Sequence, residues 1–154
     1  MKKVITSISL FLFLISCGHT PIYSNKNFNL KFSNIIYNEN NRLEQKIEKK
    51  LRSFSNDQSQ EIFAIKIDAD KKINTLSKDN KGNPSRYEMA IEIKVEIILA
   101  RKETVKKTFY ERFNYKTNIN RFELKLYEKE IENLLINKNI ENIISYLLGY
   151  KNDS

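Results

Sequence analysis

The side chains able to do chemistry in this chain of 154 residues are few. It holds one cysteine, Cys17, and one histidine, His19. A structural zinc site and a disulfide framework are therefore both excluded, since each needs several such groups. There is no Gly-rich phosphate loop, no pair of histidines and no nucleophile with a histidine base in a sensible context. His19 stands two residues after Cys17 in a polar stretch without rigid support, so it reads as a linker residue and not as a catalytic base. Asp68 and Asp70 could in principle form an acid–base pair. They fall on the polar side of an alternating pattern, which makes them the solvated face of a strand. The expectation is a protein that is not an enzyme and carries no metal.

Cys17 is the exception, because its context is that of a modification site. Lys2 and Lys3 form a short positive region, and Val4 to Ile15 follow as an apolar stretch of about a dozen residues. That length suits a signal peptide and is too short for a bilayer span of ~20 residues. The stretch ends in Leu14-Ile15-Ser16-Cys17-Gly18, which resembles the bacterial lipobox. The resemblance implies cleavage after Ser16, a thioether-linked diacylglycerol on Cys17 and an acyl chain such as palmitate on the new amine. Several chains at ~0.8 kcal/mol per buried methylene make a stable anchor. Cleavage leaves 138 residues and lowers the formal charge from +8 to +6. The parts are then a signal peptide (1–16), a lipidated tether with Pro21 (17–27), a folded domain (28–149) and a polar tail (150–154).

The basic balance, with a pI near 9.4, points to an anionic partner. On the periplasmic side of a membrane that partner is no nucleic acid. The available polyanions are phospholipid headgroups, lipopolysaccharide phosphates and acidic protein faces. Gly18 is not the aspartate associated with inner-membrane retention, so the lipoprotein sorting pattern favours the outer membrane.

The elements that must position any binding residues follow from periodicity. Apolar residues at 40% and charged residues at 30% allow a real core, and 3 Gly with 2 Pro exclude a collagen-like or Gly/Pro-rich disordered chain. Phe28, Leu30, Phe32 and Ile36 alternate with polar residues as a first strand. Asn41 and Glu44 have the spacing of a capping box, and Leu43, Ile47, Leu51 and Phe54 follow as the buried stripe of a surface helix. Glu44 and Glu48 fall off that stripe. Phe63, Ile65, Ile67 and Ala69 form a second strand that reaches toward Ile73, and 77–85 reads as a loop. Tyr87 to Leu99 alternates most clearly and would extend roughly 43 Å at ~3.3 Å per residue. A charged turn, Arg101-Lys102-Glu103, leads to a fourth strand where Phe109, Phe113 and Tyr115 share a face that Glu111 interrupts.

The segment from Asn120 to Leu148 is helical but changes phase. Leu124, Tyr127, Ile131, Leu134 and Leu135 form one stripe; Ile136, Ile140, Ile143, Ile144 and Leu147 form another. At ~100° per residue, Ile140 lies opposite Ile131. Either the helix breaks at Asn137-Lys138-Asn139, or something besides its own sheet covers a second side. The order β-α-β-β-β-α, with a parallel crossover and then an antiparallel meander, gives an α+β two-layer sandwich: a four-stranded mixed sheet with two helices on one face.

Three segments resemble one family, the LPS-assembly lipoproteins (LptE). They are Cys17-Gly18-His19-Thr20-Pro21-Ile22-Tyr23, where His19 replaces the commoner aromatic; Gly82-Asn83-Pro84-Ser85-Arg86-Tyr87-Glu88-Met89, a loop opening into a long strand; and Leu126-Tyr127-Glu128-Lys129, at the start of the final helix. The resemblance implies a lipoprotein that sits in the lumen of the outer-membrane barrel LptD, helps it assemble and contacts lipopolysaccharide during its insertion. Basic residues at the loops would meet lipid A phosphates. By charge and place, the candidates are Lys71, Lys72, Lys78, Lys81, Arg86, Lys116 and Arg121. Two other classes share a lipid anchor: an auxiliary lipoprotein of a phospholipid-trafficking ABC system, and a structural lipoprotein of the barrel-assembly machinery or cell wall.

Overall fold

A computed structural model describes residues 29–98, 104–117 and 120–150. Cys17, His19, Phe28, the tether, Leu99, the turn at 101–103 and residues 151–154 lie outside the described residues. The order is β1 (Lys31–Ile36), α1 (Arg42–Arg52), β2 (Ile62–Lys78), β3 (Pro84–Ile98), β4 (Thr104–Lys116) and α2 (Arg121–Tyr150). The strands make one mixed sheet in the order β1-β2-β3-β4, with β1 parallel to β2 and the rest antiparallel. Both helices pack on one face, as the α+β two-layer reading requires.

Alternation sets the core. Phe63, Ile65, Ile67 and Ala69 of β2 and Met89, Ile91, Ile93, Val95 and Ile97 of β3 are buried beneath the helices. In β1 the pattern shifts. Register slips between Phe32 and Asn34, so Ser33 is the extra residue of a bulge. That residue changes the parity of the strand. Ile35 is buried and Ile36 exposed, which reverses the expected inward position of Ile36.

Asn41 caps α1, its side chain accepting from Leu43 N at 3.0 Å. Glu44 is not on the solvent side as its position off the apolar stripe predicts. It is buried, accepting from Asn38 N at 2.6 Å, Asn41 Nδ2 at 2.9 Å and Ala69 N at 3.2 Å. Ala69 lies beyond the end of β1, and Asn41 Nδ2 also donates to its carbonyl at 3.2 Å. Two side chains thus bond the backbone groups that a longer β1 would have paired. Glu48 is buried as well, bonded to Arg52.

β2 and β3 outrun the expected strands. β2 continues to Lys78 and β3 begins at Pro84, leaving a short turn where a loop over 77–85 is predicted. Pairing with β3 carries β2 past its last buried residue, Ala69, so residues 70–78 form an exposed sheet edge beside the buried Met89 and Ile91 of β3.

α2 is continuous. Ile131, Leu135, Ile136, Ile140, Ile143, Ile144 and Leu147 are all buried, although their directions span more than half the helix circumference. The helix lies on β3 and β4 with α1 on its flank, and a twisted sheet meets successive turns from successive directions. Tyr127 and Leu134, predicted on the first stripe, are largely exposed. Among the described residues, no helix is long and apolar enough to cross a membrane.

Candidate functional site

The hairpin formed by β2 and β3 ends in a turn built around Asp79. Its Oδ1 accepts from Lys81 N and Asn83 N, each at 2.8 Å, and its carbonyl accepts from Gly82 N at 3.0 Å. Those donors, led by the Asn83 N–H, hold the Asp79 carboxyl below the usual range although it is fully exposed. Gly82 sits at φ +83°, a left-handed conformation that glycine adopts without strain. Behind the turn the register slips again around Leu76, and Ser77 Oγ meets Ser85 Oγ at 2.8 Å. The turn is therefore internally bonded, and it carries Lys78 and Lys81 at its surface.

Five of the seven sequence-predicted basic residues share this end of the domain. Lys78 and Lys81 are on the turn, Arg86 is two residues into β3, and Lys116 ends β4. Arg86 and Lys116 are direct cross-strand partners. Like charges opposite one another weaken strand pairing, so the pair concentrates positive potential at a cost in stability. Arg121 opens α2, where a cation is also on the wrong side of the helix dipole. All five are exposed, and none has an ionic partner among the described residues.

Lys71 and Lys72 are placed elsewhere. Lys71 Nζ lies 2.5 Å from Glu132 on α2, in a triad completed by Lys46. Burial pushes the Glu132 carboxyl up, but the hydrogen bonds and charges of the two lysines outweigh it and hold the carboxyl below the ordinary value. Lys72 points to the opposite face of the sheet, 3.4 Å from Asp70.

Beside the basic end lies an open cleft of about 570 Å³, lined by Leu76, Arg86, Phe113, Asn114, Lys116 and the rings of Tyr115 and Tyr127. Tyr115 is the organising ring. It stacks on Tyr87 at 5.6 Å and takes Tyr127 edge-on at 6.1 Å. Its hydroxyl donates to Glu128 at 2.8 Å; burial and that acceptor raise its pKa well above 10. The aromatic wall is not among the predicted site residues. In the sequence Tyr87, Tyr115 and Tyr127 each fall in a strand or helix stripe, and nothing in sequence spacing brings three separate elements to one wall.

The sheet face opposite the helices carries charges of both signs, with Ile36, Ile62, Ile98 and Tyr110 exposed among them. Lys106 meets Glu96 at 2.9 Å, Arg112 meets Glu88 at 3.4 Å, and Asp68 is the cross-strand partner of Lys94. Asp68 and Asp70 both lie on this face, each beside a lysine.

Rare lipoprotein B from Shewanella oneidensis is 17% identical, covering 77% of this chain and 98% of that one, with a TM-score of 0.55. Lipoprotein B from Nitrosomonas europaea is 11% identical over 83% of this chain and 90% of that one, at 0.62. A lipoprotein from Caulobacter crescentus is 11% identical over 81% and 91%, at 0.55. The fold is one that bacterial lipoproteins share. No family model and no curated protein matches the sequence.

Proposed function

We propose that this chain is a non-catalytic, outer-membrane lipoprotein of the LptE type. Anchored through Cys17 on the periplasmic side, it occupies the lumen of the LptD barrel, supports the barrel's assembly and contacts lipopolysaccharide on its way to the outer leaflet. The observation that carries this reading is the hairpin end, where five cations without ionic partners stand beside a cleft with an aromatic and aliphatic wall. Phosphate groups and acyl chains joined in one molecule match both halves of that surface. The mixed-sign face of the sheet agrees with residence in a water-filled barrel, whose interior wall is polar. The fold shared with bacterial lipoproteins and the lipobox at Cys17 support the same reading.

The test is an affinity pull-down of the tagged, lipidated protein from detergent-solubilised outer membranes, with mass spectrometry of what accompanies it. A stoichiometric large barrel is the expected result. Recovery of components of a phospholipid-trafficking ABC system, or of the barrel-assembly machinery without LptD, would overturn the reading.

A further inference from the structure

The point at which the chain enters the fold lies against the loop that follows the last turn of α1. Leu30 O accepts from Asn56 N at 2.8 Å, and Phe32 N donates to Ser55 Oγ at 3.0 Å, so the start of β1 runs beside the loop that follows α1. That last turn holds Lys49, Lys50 and Arg52. The two carboxylates of α1 do not neutralise it at the surface, because Glu44 and Glu48 are both buried and Glu48 is committed to Arg52. The ammonium groups of Lys49 and Lys50 have no ionic or hydrogen-bonding partner among the described residues, and it is their backbone carbonyls that Ser53 bonds. With Lys46 they line one wall of an open cleft of about 350 Å³ between α1 and α2; Asn133, Ile136 and Asn137 line the other.

We propose that this end of the domain docks on the anionic phospholipid headgroups of the leaflet that holds the acyl chains, with Lys49 and Lys50 as the contacting residues. The inference rests on the reading of Cys17 as acylated. Cys17 precedes Asn29, the first described residue, by a length of chain that spans at most about 40 Å when fully extended. The cationic turn is thus confined near a surface of opposite charge. Tethering makes the encounter intramolecular, so a weak attraction is enough to populate it. Each lysine close to an anionic bilayer favours contact by about fivefold. The hairpin turn lies about 50 Å away along the length of β2, so docking through the last turn of α1 with β2 upright leaves it clear of the same headgroups.

The test uses the full lipidated protein, reconstituted into vesicles of phosphatidylcholine alone or with about one-third phosphatidylglycerol, and an amine-acetylating reagent read by peptide mass spectrometry. On the anionic vesicles, Lys49 and Lys50 are expected to react at least about threefold more slowly than on the neutral ones, while Lys78 and Lys81 are unchanged. About 0.5 M salt should abolish the difference, since screening then acts over only a few ångströms. Equal labelling of Lys49 and Lys50 on the two vesicles, or equal protection at both ends, would overturn the proposal. The same spectra report the mass of the peptide containing Cys17. If Cys17 carries acyl chains and no protection appears, the docking surface alone is wrong. If Cys17 carries none, the anchor reading fails and the proposal with it.

Discussion

The side-chain amide of Asn139 on α2 donates to the backbone carbonyl of Ile91 on β3 at 3.2 Å, with no part of Asn139 exposed. The same amide donates to Leu135 O, one turn earlier, at 3.2 Å. Its own oxygen is buried without a partner. One polar group therefore ties the long helix to β3, at the point where the apolar stripe changes phase.

This arrangement predicts an order among substitutions. Ile91 sits mid-strand with Lys71 and Glu111 as its cross-strand partners, so its carbonyl does not depend on Asn139. Asn139→Leu removes the orphaned oxygen at similar volume and should change stability by no more than about 1 kcal/mol. Asn139→Asp sets a buried charge against two carbonyls and should cost more than about 2 kcal/mol. Urea unfolding followed by circular dichroism checks both. A Leu variant as damaged as the Asp variant would mean that the amide's bonds outweigh its burial.

Glu44 makes a second prediction. Its carboxylate accepts from three donors on two segments: Asn38 and Asn41 in the turn before α1, and Ala69 on β2. Glu44→Ala leaves those groups unsatisfied at a buried site and should destabilise the domain by about 2–4 kcal/mol. Removal of Glu39, exposed on the adjoining turn, should cost under about 0.5 kcal/mol in the same urea titration.

The triad of Lys46, Glu132 and Lys71 gives a pH dependence. The folded carboxyl of Glu132 is held below its ordinary value of 4.5 by the two lysines. The folded state therefore binds that proton more weakly than the unfolded state does, and stability falls as pH drops below about 4.5 toward the lower folded value. At pH 7 the Glu132→Gln variant should be less stable than the wild type, and at pH 3 the two should converge. Urea midpoints that stay a constant distance apart from pH 7 to 3 would show that the triad is not the source of the slope.

At the hairpin end, replacing Lys78, Lys81 and Arg86 together by Glu should weaken lipopolysaccharide binding by at least about tenfold. The fold should survive, because the three side chains are exposed and the new Glu at 86 faces Lys116 across the ladder in place of a like charge. Binding to immobilised lipopolysaccharide, alongside thermal unfolding, measures both effects. Unchanged binding by a folded triple variant would remove this end from the function.

Periodicity and local chemistry carried much of the molecule. The alternation at Phe63–Ala69 and Met89–Ile97 determined which faces of β2 and β3 are buried, because side chains alternate with a period of two whatever the partner. Asn41 marked the start of α1 because an N-cap acts within one turn of its own position. Tertiary structure was needed wherever an element's surroundings depend on distant segments. The Ser33 bulge turned Ile35 inward because β1 had to match β2. The last nine residues of β2 became a strand through pairing with β3, although they bury almost nothing. Glu44 went inside because Ala69 needed a partner beyond the end of β1. α2 stayed whole because a twisted sheet and α1 cover it from drifting directions, which no straight stripe on a helical wheel can represent. The gathering of Lys78, Lys81, Arg86, Lys116 and Arg121 beside Tyr115 and Tyr127 has the same origin. Side chains from three strands and a helix meet at one end only after the sheet has set their register.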